Sequence, residues 1–170
     1  KWKELRGKLP TYLLDEEGAV KEWSFKYSGE NYDHRHVSHH YDVWPGRAIT
    51  PEKTPELVQP FILSNRKRGH QDDSAHGVIH RYFTAVRLGD LPDAMHNFRT
   101  LMEHGYVTRT LNTVHYPYRV FCGDLLGAMP AMLLELLVYS DEGLIKLLPA
   151  VPDDLSKGSV KGVWLYTFAK

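Results

Sequence analysis

The feature that most constrains the fold is a pair of amphipathic segments joined by only two residues. Apolar residues recur at three- and four-residue spacing over residues 78–88 and again over residues 94–102. This spacing places the apolar side chains on one face of a helix. Ser74 suits the N-cap of the first helix and Gly89 suits its C-terminal end. Because Gly89 and Asp90 leave so little connecting chain, the two helices must be antiparallel neighbours.

Two further segments predict helices of a different kind. Residues 52–67 have helical spacing, but Pro55 and Pro60 predict that this helix is kinked or split. Residues 127–139 are apolar on nearly every side, which is typical of an inner helix buried by its neighbours. We therefore expect a mainly α fold built of helical hairpins.

The remaining segments predict short elements and loops. Residues 1–8 indicate a helix end, residues 11–25 a loop or small hairpin, and residues 106–122 an irregular aromatic loop. Residues 144–148 predict a strand, residues 149–157 a turn-rich linker, and residues 159–168 one or two strands. The sequence thus predicts a helical unit over residues 1–143 and the start of a β unit over residues 144–170.

Charge and composition exclude several classes of partner. The 21 basic residues balance 21 acidic residues, which argues against nucleic acid or an anionic membrane as a partner. A neutral sugar demands no net charge. The apolar run at residues 131–138 contains Glu135 and is too short to span a bilayer. The single cysteine, Cys122, excludes an internal disulfide and leaves the cellular compartment open.

Histidines are concentrated in residues 33–46, where His34, His36, His39 and His40 account for four of the ten in the chain. In a helix, His36 and His40 would share a face at the spacing that a metal pair uses. No acidic third ligand stands at a recognisable spacing, so we predict neither a metal nor another cofactor. The other interpretations are histidines that hydrogen-bond a buried turn, and a sugar-binding or catalytic wall.

The same stretch resembles a known family. His34 to His39, Tyr41, residues 44–46 and residues 49–50 are similar to the HRHxSHLYxLYPGxxIT segment of glycoside hydrolase family 95, the inverting α-L-fucosidases and their relatives. Glu22 and Trp23 match the pair in the GxLxEW segment that precedes it.

Similar motifs continue along the chain. Residues 85–90 resemble the ARLxDG helix end, and residues 147–162 resemble the LLPALPxxWxxGxVxGL stretch with Leu155 in place of tryptophan. The resemblance, which extends from about residue 20 to 163, implies helical hairpins of an α/α six-hairpin toroid, incomplete in this chain, that lead into a short C-terminal β segment. The first residues look like the last turns of a helix without an initial methionine, so we expect a segment of a longer protein.

The sequence departs from the family at two places. The GTGWS stretch is replaced by residues 72–77, so that an aromatic wall facing the sugar is lost. The aspartate of HPPFQIDGNFGG falls on Asp124 when counted back from Ser140, but on Phe121 when counted forward from His115. We favour Asp124, because a carboxylate at the start of an inner helix faces the mouth of the toroid and is stabilised by the helix dipole. The alternative is that Asp124 only caps the helix.

The resemblance implies a function and a set of site residues. The expected reaction is hydrolysis, with inversion, of a terminal α-L-fucosyl or related sugar, in which Asp124 assists the attacking water. Residues expected to bind the carbohydrate substrate are Arg35, His36, His34, His39, Glu22, Trp23 and His115. The general acid is expected from outside this chain, in the remainder of the same polypeptide or a complementary chain.

Four expectations remain open at this point. One alternative is a non-catalytic carbohydrate-binding or scaffold relative that has lost its catalytic groups, and another is a histidine-rich metal-binding helical domain. The resemblance favours a periplasmic or secreted location in a bacterium. If the site is real, the segment from His34 to His40 and Asp124 should lie within about one sugar's length of each other, although they are far apart in sequence.

Overall fold

A computed structural model describes residues 1–68, 73–155 and 157–165, apart from the side chain of Asp154. Within these ranges the helices are α1 (Trp2–Arg6), α2 (Pro55–Arg66), α3 (Ala75–Leu88), α4 (Leu91–Glu103) and α5 (Gly123–Leu137). The strands are β1 (Val114–Tyr116), β2 (Arg119–Phe121), β3 (Val138–Asp141) and β4 (Leu144–Leu147). Short 3₁₀ turns cover Ser38–His40 and Asp153–Leu155. The prediction of a mainly α chain with a short C-terminal β segment is confirmed, and the arrangement is consistent with part of a helical toroid.

The helical hairpin of α3 and α4 forms the centre of the molecule. The Ser74 side chain accepts a hydrogen bond from the Gly77 amide and caps α3 at its start. Gly89 ends α3 in the left-handed region at φ 77°, and Asp90 then caps α4 by accepting from the Asp93 amide. Tyr82 and Phe83 of α3 are almost fully buried. The predicted hairpin and its boundaries are therefore confirmed, because the capping residues fix both ends of its connection.

Helix α2 is not split as the prolines predicted. It begins at Pro55, where the missing amide hydrogen costs nothing, and continues through Pro60 to Arg66. The Pro60 carbonyl accepts a hydrogen bond from the Val20 amide at 3.2 Å. This contact ties the N-terminal region, where Leu14 and Val20 form the predicted small hairpin, to the helical layer.

The prediction that residues 127–139 form a buried inner helix is wrong within the described chain. Helix α5 starts earlier, at Gly123, and buries only Leu125, Met132 and Leu136. Leu126 and Leu133 are each 49% exposed. Helix α3 and the neighbouring strands cover α5 on one side only, so its other apolar side faces solvent.

Three predictions of local structure also need correction. The aromatic region expected to be an irregular loop contains a hairpin in which β1 pairs with β2, Val114 opposite Phe121. Residues 138–141, expected to end the helix, form β3 and pair with β4, the strand that was predicted. Residues 159–165 form no strand, and residues 166–168 of that prediction lie outside the described residues. The division of the chain at residue 143 remains a prediction; the β3–β4 hairpin spans that position.

Helix α3 positions the candidate site because it contacts α2, α4, α5 and β1. Its N-terminal end also faces the histidine-rich segment. It runs alongside α5, with His76 next to Asp124 at the start of both helices and Arg87 next to Glu135 near their ends. Among the described residues, none of the helices has the length and apolar character needed to traverse a membrane.

Candidate active site

A glycine at the start of α3 holds the histidine-rich segment in place. A Cβ at Gly77 would lie 2.3 Å from the Arg35 carbonyl oxygen, far inside van der Waals contact. Only glycine therefore lets the backbone of residues 34–36 rest on the first turn of the helix. The chain then enters the 3₁₀ turn Ser38–His40 and reaches the cis peptide bond between Trp44 and Pro45.

His39 and His40 anchor the histidine-rich segment to α2. Their Nε2 atoms lie 2.9 and 3.1 Å from the Ser64 hydroxyl oxygen. Burial, together with the nearby Arg68 charge, lowers the pKa of His39 to about 3. Burial also lowers the pKa of His40 well below its usual range. Both imidazoles are thus neutral near pH 7 and contribute to packing.

An ion-pair cluster around Arg68 fixes the segment that precedes the histidines. The Arg68 side chain is fully buried and donates to Glu22 at 3.0 Å and to Glu30 at 2.7 Å. It also donates to the Asn31 carbonyl at 3.0 Å. Breaking such a buried pair leaves an unpaired charge, which costs about 3–5 kcal/mol. Glu22 therefore has a positioning role in this geometry, and its neighbour Trp23 is 53% exposed.

Four imidazoles form a continuous histidine row across the two segments, consisting of His34, His36, His76 and His80. The ring centroids of His34 and His36 are 5.1 Å apart, and those of His36 and His76 are 5.6 Å apart. The rings of His76 and His80 follow at 4.4 Å, one helical turn apart on α3. The row therefore joins the predicted histidine-rich segment to the start of α3.

The inner end of the row lies against aromatic rings. The Trp44 ring is 5.3 Å from His80 and stacks on Phe83 at 4.3 Å with an interplanar angle of 2°. Burial, with smaller contributions from the charges of His76 and His36, lowers the pKa of His80 to about 4. His80 is thus a neutral imidazole near pH 7, able to donate one hydrogen bond and accept one.

Asp124 lies beside His76, an internal member of the row. Its Oδ2 atom is 3.8 Å from His76 Nδ1, and its side chain is 71% exposed. Asp124 does not cap α5, because the N-cap position is Cys122 and Asp124 lies in the first turn. The carboxylate therefore faces solvent at the positive end of the helix dipole. Phe121, the other candidate register, is a β2 side chain that is 66% exposed.

The structure brings some predicted site residues together and keeps others apart. His34, His36 and Asp124 meet through His76, whereas Glu22 and His39 are held in structural contacts. Arg35 is half-buried, and its backbone carbonyl packs against Gly77, next to His76 of the row. His115 lies in β1 with its ring 4.7 Å from Tyr116, and we see no hydrogen bond from it to the row in the described part of the chain.

Sequence analysis missed His76 and His80. Both stand where the chain departs from the family's GTGWS stretch or shortly after it, and they share one helix face at four-residue spacing. In the sequence analysis, four-residue spacing on a helix face was considered only for His36 and His40. Asking which histidines follow the predicted N-cap Ser74 would have found them.

Over residues 1–68, 73–155 and 157–165, no three His, Cys, Asp or Glu side chains are grouped so that they could hold a metal ion. Tyr139 and Glu135, at the other end of α3, line a cavity of about 90 Å³ together with Arg87. His34, His36, His76 and His80 of the histidine row are each partly exposed.

Comparison with known proteins gives two matches. Residues 1–131 match the model of the glycosyl hydrolase family 95 catalytic domain. Alpha-L-fucosidase 2 of Arabidopsis thaliana is 30% identical over 171 aligned residues, which cover 93% of this chain. The chain spans 20% of the length of that relative.

Proposed function

Because the chain belongs to glycosyl hydrolase family 95, we propose that it supplies one wall of an active site that hydrolyses a terminal α-L-fucosyl or related sugar with inversion. Membership of the family supports chemistry of the glycoside hydrolase kind. The similarity to an enzyme named alpha-L-fucosidase 2 supports the choice of sugar. The observation that carries the proposal is that His36 and Asp124, far apart in sequence, both lie next to His76.

In the proposed reaction, a water oxygen attacks the anomeric carbon while the bond from that carbon to the leaving oxygen breaks. The water gives up a proton toward Asp124, and an acid on the opposite face of the sugar protonates the leaving oxygen. The exposure of Asp124 supports this role, because its carboxylate has room for a water molecule. Its place in the first turn of α5 favours the negative charge that the role requires.

The histidine row supplies the sugar-binding part of the proposal. A neutral imidazole donates and accepts hydrogen bonds, as sugar hydroxyls also do. His34 and His36 are half-buried, so solvent reaches part of each residue. Arg35 adds a guanidinium group to the same segment. Trp44 and Phe83 lie behind His80 and hold the inner end of the wall.

We also propose that the opposite wall and the general acid come from the remainder of the same polypeptide or from a complementary chain. The chain spans one fifth of the length of its relative. Leu126 and Leu133 of helix α5 are half exposed. An exposed apolar face of this kind usually marks a surface that contacts another part of the protein.

The test is hydrolysis of an aryl α-L-fucoside by the full-length protein, with NMR detection of the sugar anomer that forms first. We expect turnover and the β anomer, since inversion converts an α-linked sugar to the β product. The α anomer would refute inversion. Binding of fucose without turnover would support the alternative of a non-catalytic carbohydrate-binding relative.

A further inference from the structure

Two helices bring their first turns together at His76 of the histidine row. His76 lies in the first turn of α3 and Asp124 in the first turn of α5. The distance between His76 Nδ1 and Asp124 Oδ2 is 3.8 Å, which is too long for a direct hydrogen bond. A small change in the Asp124 side-chain rotamer would bring the two atoms within hydrogen-bonding distance. Hydrogen bonds of this kind are often long in unliganded sites and shorten when the substrate binds.

The two partners differ in how firmly they are held. The His76 side chain is 35% exposed and has the His36 ring on one side and the His80 ring on another. The Asp124 side chain is 71% exposed. Its Oδ2 atom also accepts a weak hydrogen bond from the Cys122 thiol, with the sulfur 3.9 Å away. The imidazole is therefore the more tightly packed partner and the carboxylate the more exposed one.

We infer that His76 is a positioning residue that orients the Asp124 carboxylate for its role in hydrolysis. Nδ1–H of His76 binds Oδ2 of Asp124, which leaves Oδ1 free to face the attacking water. This inference rests on the proposed function for the role of Asp124, but the pairing itself does not depend on it. It adds to the family resemblance, since His76 lies in the stretch where this chain departs from the family's motif.

Substitutions at His76 separate positioning from packing. Asn offers an amide N–H close to the position of Nδ1, whereas Leu fills a similar space without a donor. In the full-length protein, His76→Leu should lower kcat for fucoside hydrolysis roughly 10- to 100-fold with KM little changed, because a misplaced group mainly affects the chemical step. His76→Asn should restore most of the lost kcat.

Equal losses in His76→Leu and His76→Asn, or a loss that appears as a raised KM, would overturn the inference. Such results would show that His76 packs the row or binds the sugar directly. Full activity in His76→Leu would also overturn it. Because a leucine at this position could disturb folding, each variant is first compared with the wild type by thermal unfolding, and the Asn variant carries the test if the Leu variant unfolds.

A second measurement tests the pairing without any activity. In the full-length protein, Asp124→Asn should shift the imidazole NMR signals of His76, while those of the exposed His104 should stay unchanged. Unchanged His76 signals would refute the pairing even in an active enzyme. If the wild type hydrolyses no fucoside but the His76 signals shift, the proposed function fails and the pairing stands.

Discussion

At the residue scale, one close approach determines where the histidines lie. The 2.3 Å between a Cβ at position 77 and the Arg35 carbonyl means that Gly77→Ala must push residues 34–36 away from α3. We expect a loss of about 1–3 kcal/mol in the free energy of unfolding, as for other overpacked sites. Affinity for fucose should fall as well, because the row loses its contact between His36 and His76. Chemical denaturation and a binding titration measure the two effects.

Gly127 provides the matched control for this prediction. It also lies inside a helix, but nothing stands within 4 Å of a Cβ added there. Gly127→Ala should stabilise the protein by about 0.5–1 kcal/mol, since alanine favours a helix interior. If Gly77→Ala behaved like Gly127→Ala, the close packing of residues 34–36 on α3 would be refuted.

The buried imidazoles predict a pH dependence of stability. Folding lowers the pKa of His39 to about 3 and that of His80 to about 4, both through burial, from an ordinary value of 6.5. Between pH 6.5 and pH 4 the unfolded chain therefore binds more protons than the folded one. The free energy of unfolding should fall as the pH drops through this window, with a slope of up to about 1.4 kcal/mol per pH unit for each proton.

The variant His80→Gln isolates one of these contributions. Its stability should depend less on pH than that of the wild type between pH 6.5 and pH 4, when both are measured by urea unfolding. His104→Gln, which changes an exposed imidazole, should keep the wild-type slope. A wild-type slope in His80→Gln would mean that His80 takes up its proton in the folded state.

At the scale of elements, the sequence predicts best where local chemistry decides the outcome. Ser74, Gly89 and Asp90 fix the ends of α3 and α4 through caps that lie within a few residues, so that hairpin was predictable. The β1–β2 hairpin was not, because its strands have three residues each, too few for a period of two to be seen. Burial of α5 was mispredicted since its apolar pattern does not say which neighbours are present.

The same reasoning decides which site residues could be found. His34 and His36 were predicted as site residues because they stand in a dense motif that resembles the family's, and Asp124 because the family's aspartate falls on it when counted back from Ser140. The contact of His36 with His76 joins residues 40 positions apart and depends on Gly77, which no local pattern reveals. The structural use of Glu22 likewise depends on Arg68, a distant residue whose side chain is fully buried.

Helix α5 gives a prediction about its two sides. Met132 is fully buried and Leu133 is 49% exposed. In the chain described here, Met132→Ala should cost about 2–5 kcal/mol of unfolding free energy, because it leaves a cavity. Leu133→Ala should change stability by about 0.5 kcal/mol at most, as for a surface position. Thermal or chemical unfolding distinguishes them, and equal losses would show that both sides of α5 are covered.

At the scale of the whole molecule, we expect the exposed side of α5 and the histidine row to be covered by the remainder of the protein. Both surfaces become interior if further chain packs over them. Leu133→Asp should then destabilise the full-length protein by several kcal/mol, because it buries an unpaired charge, while the described chain tolerates it. Leu134, which is 38% exposed, is expected to behave in the same way. Equal small effects in both proteins would place this side of α5 in solvent throughout.

We expect the histidine row and Asp124 to take part together in the hydrolysis of a fucoside. The most direct test compares kcat and KM of the full-length wild type with those of Asp124→Asn, after both have been checked for folding. The substitution keeps the shape of the side chain and removes its charge. We predict a fall in kcat of about 10²–10⁴-fold with KM little changed, which is the usual worth of general-base assistance. Full activity in Asp124→Asn would contradict the account and would favour the alignment that places Phe121 at the family's aspartate.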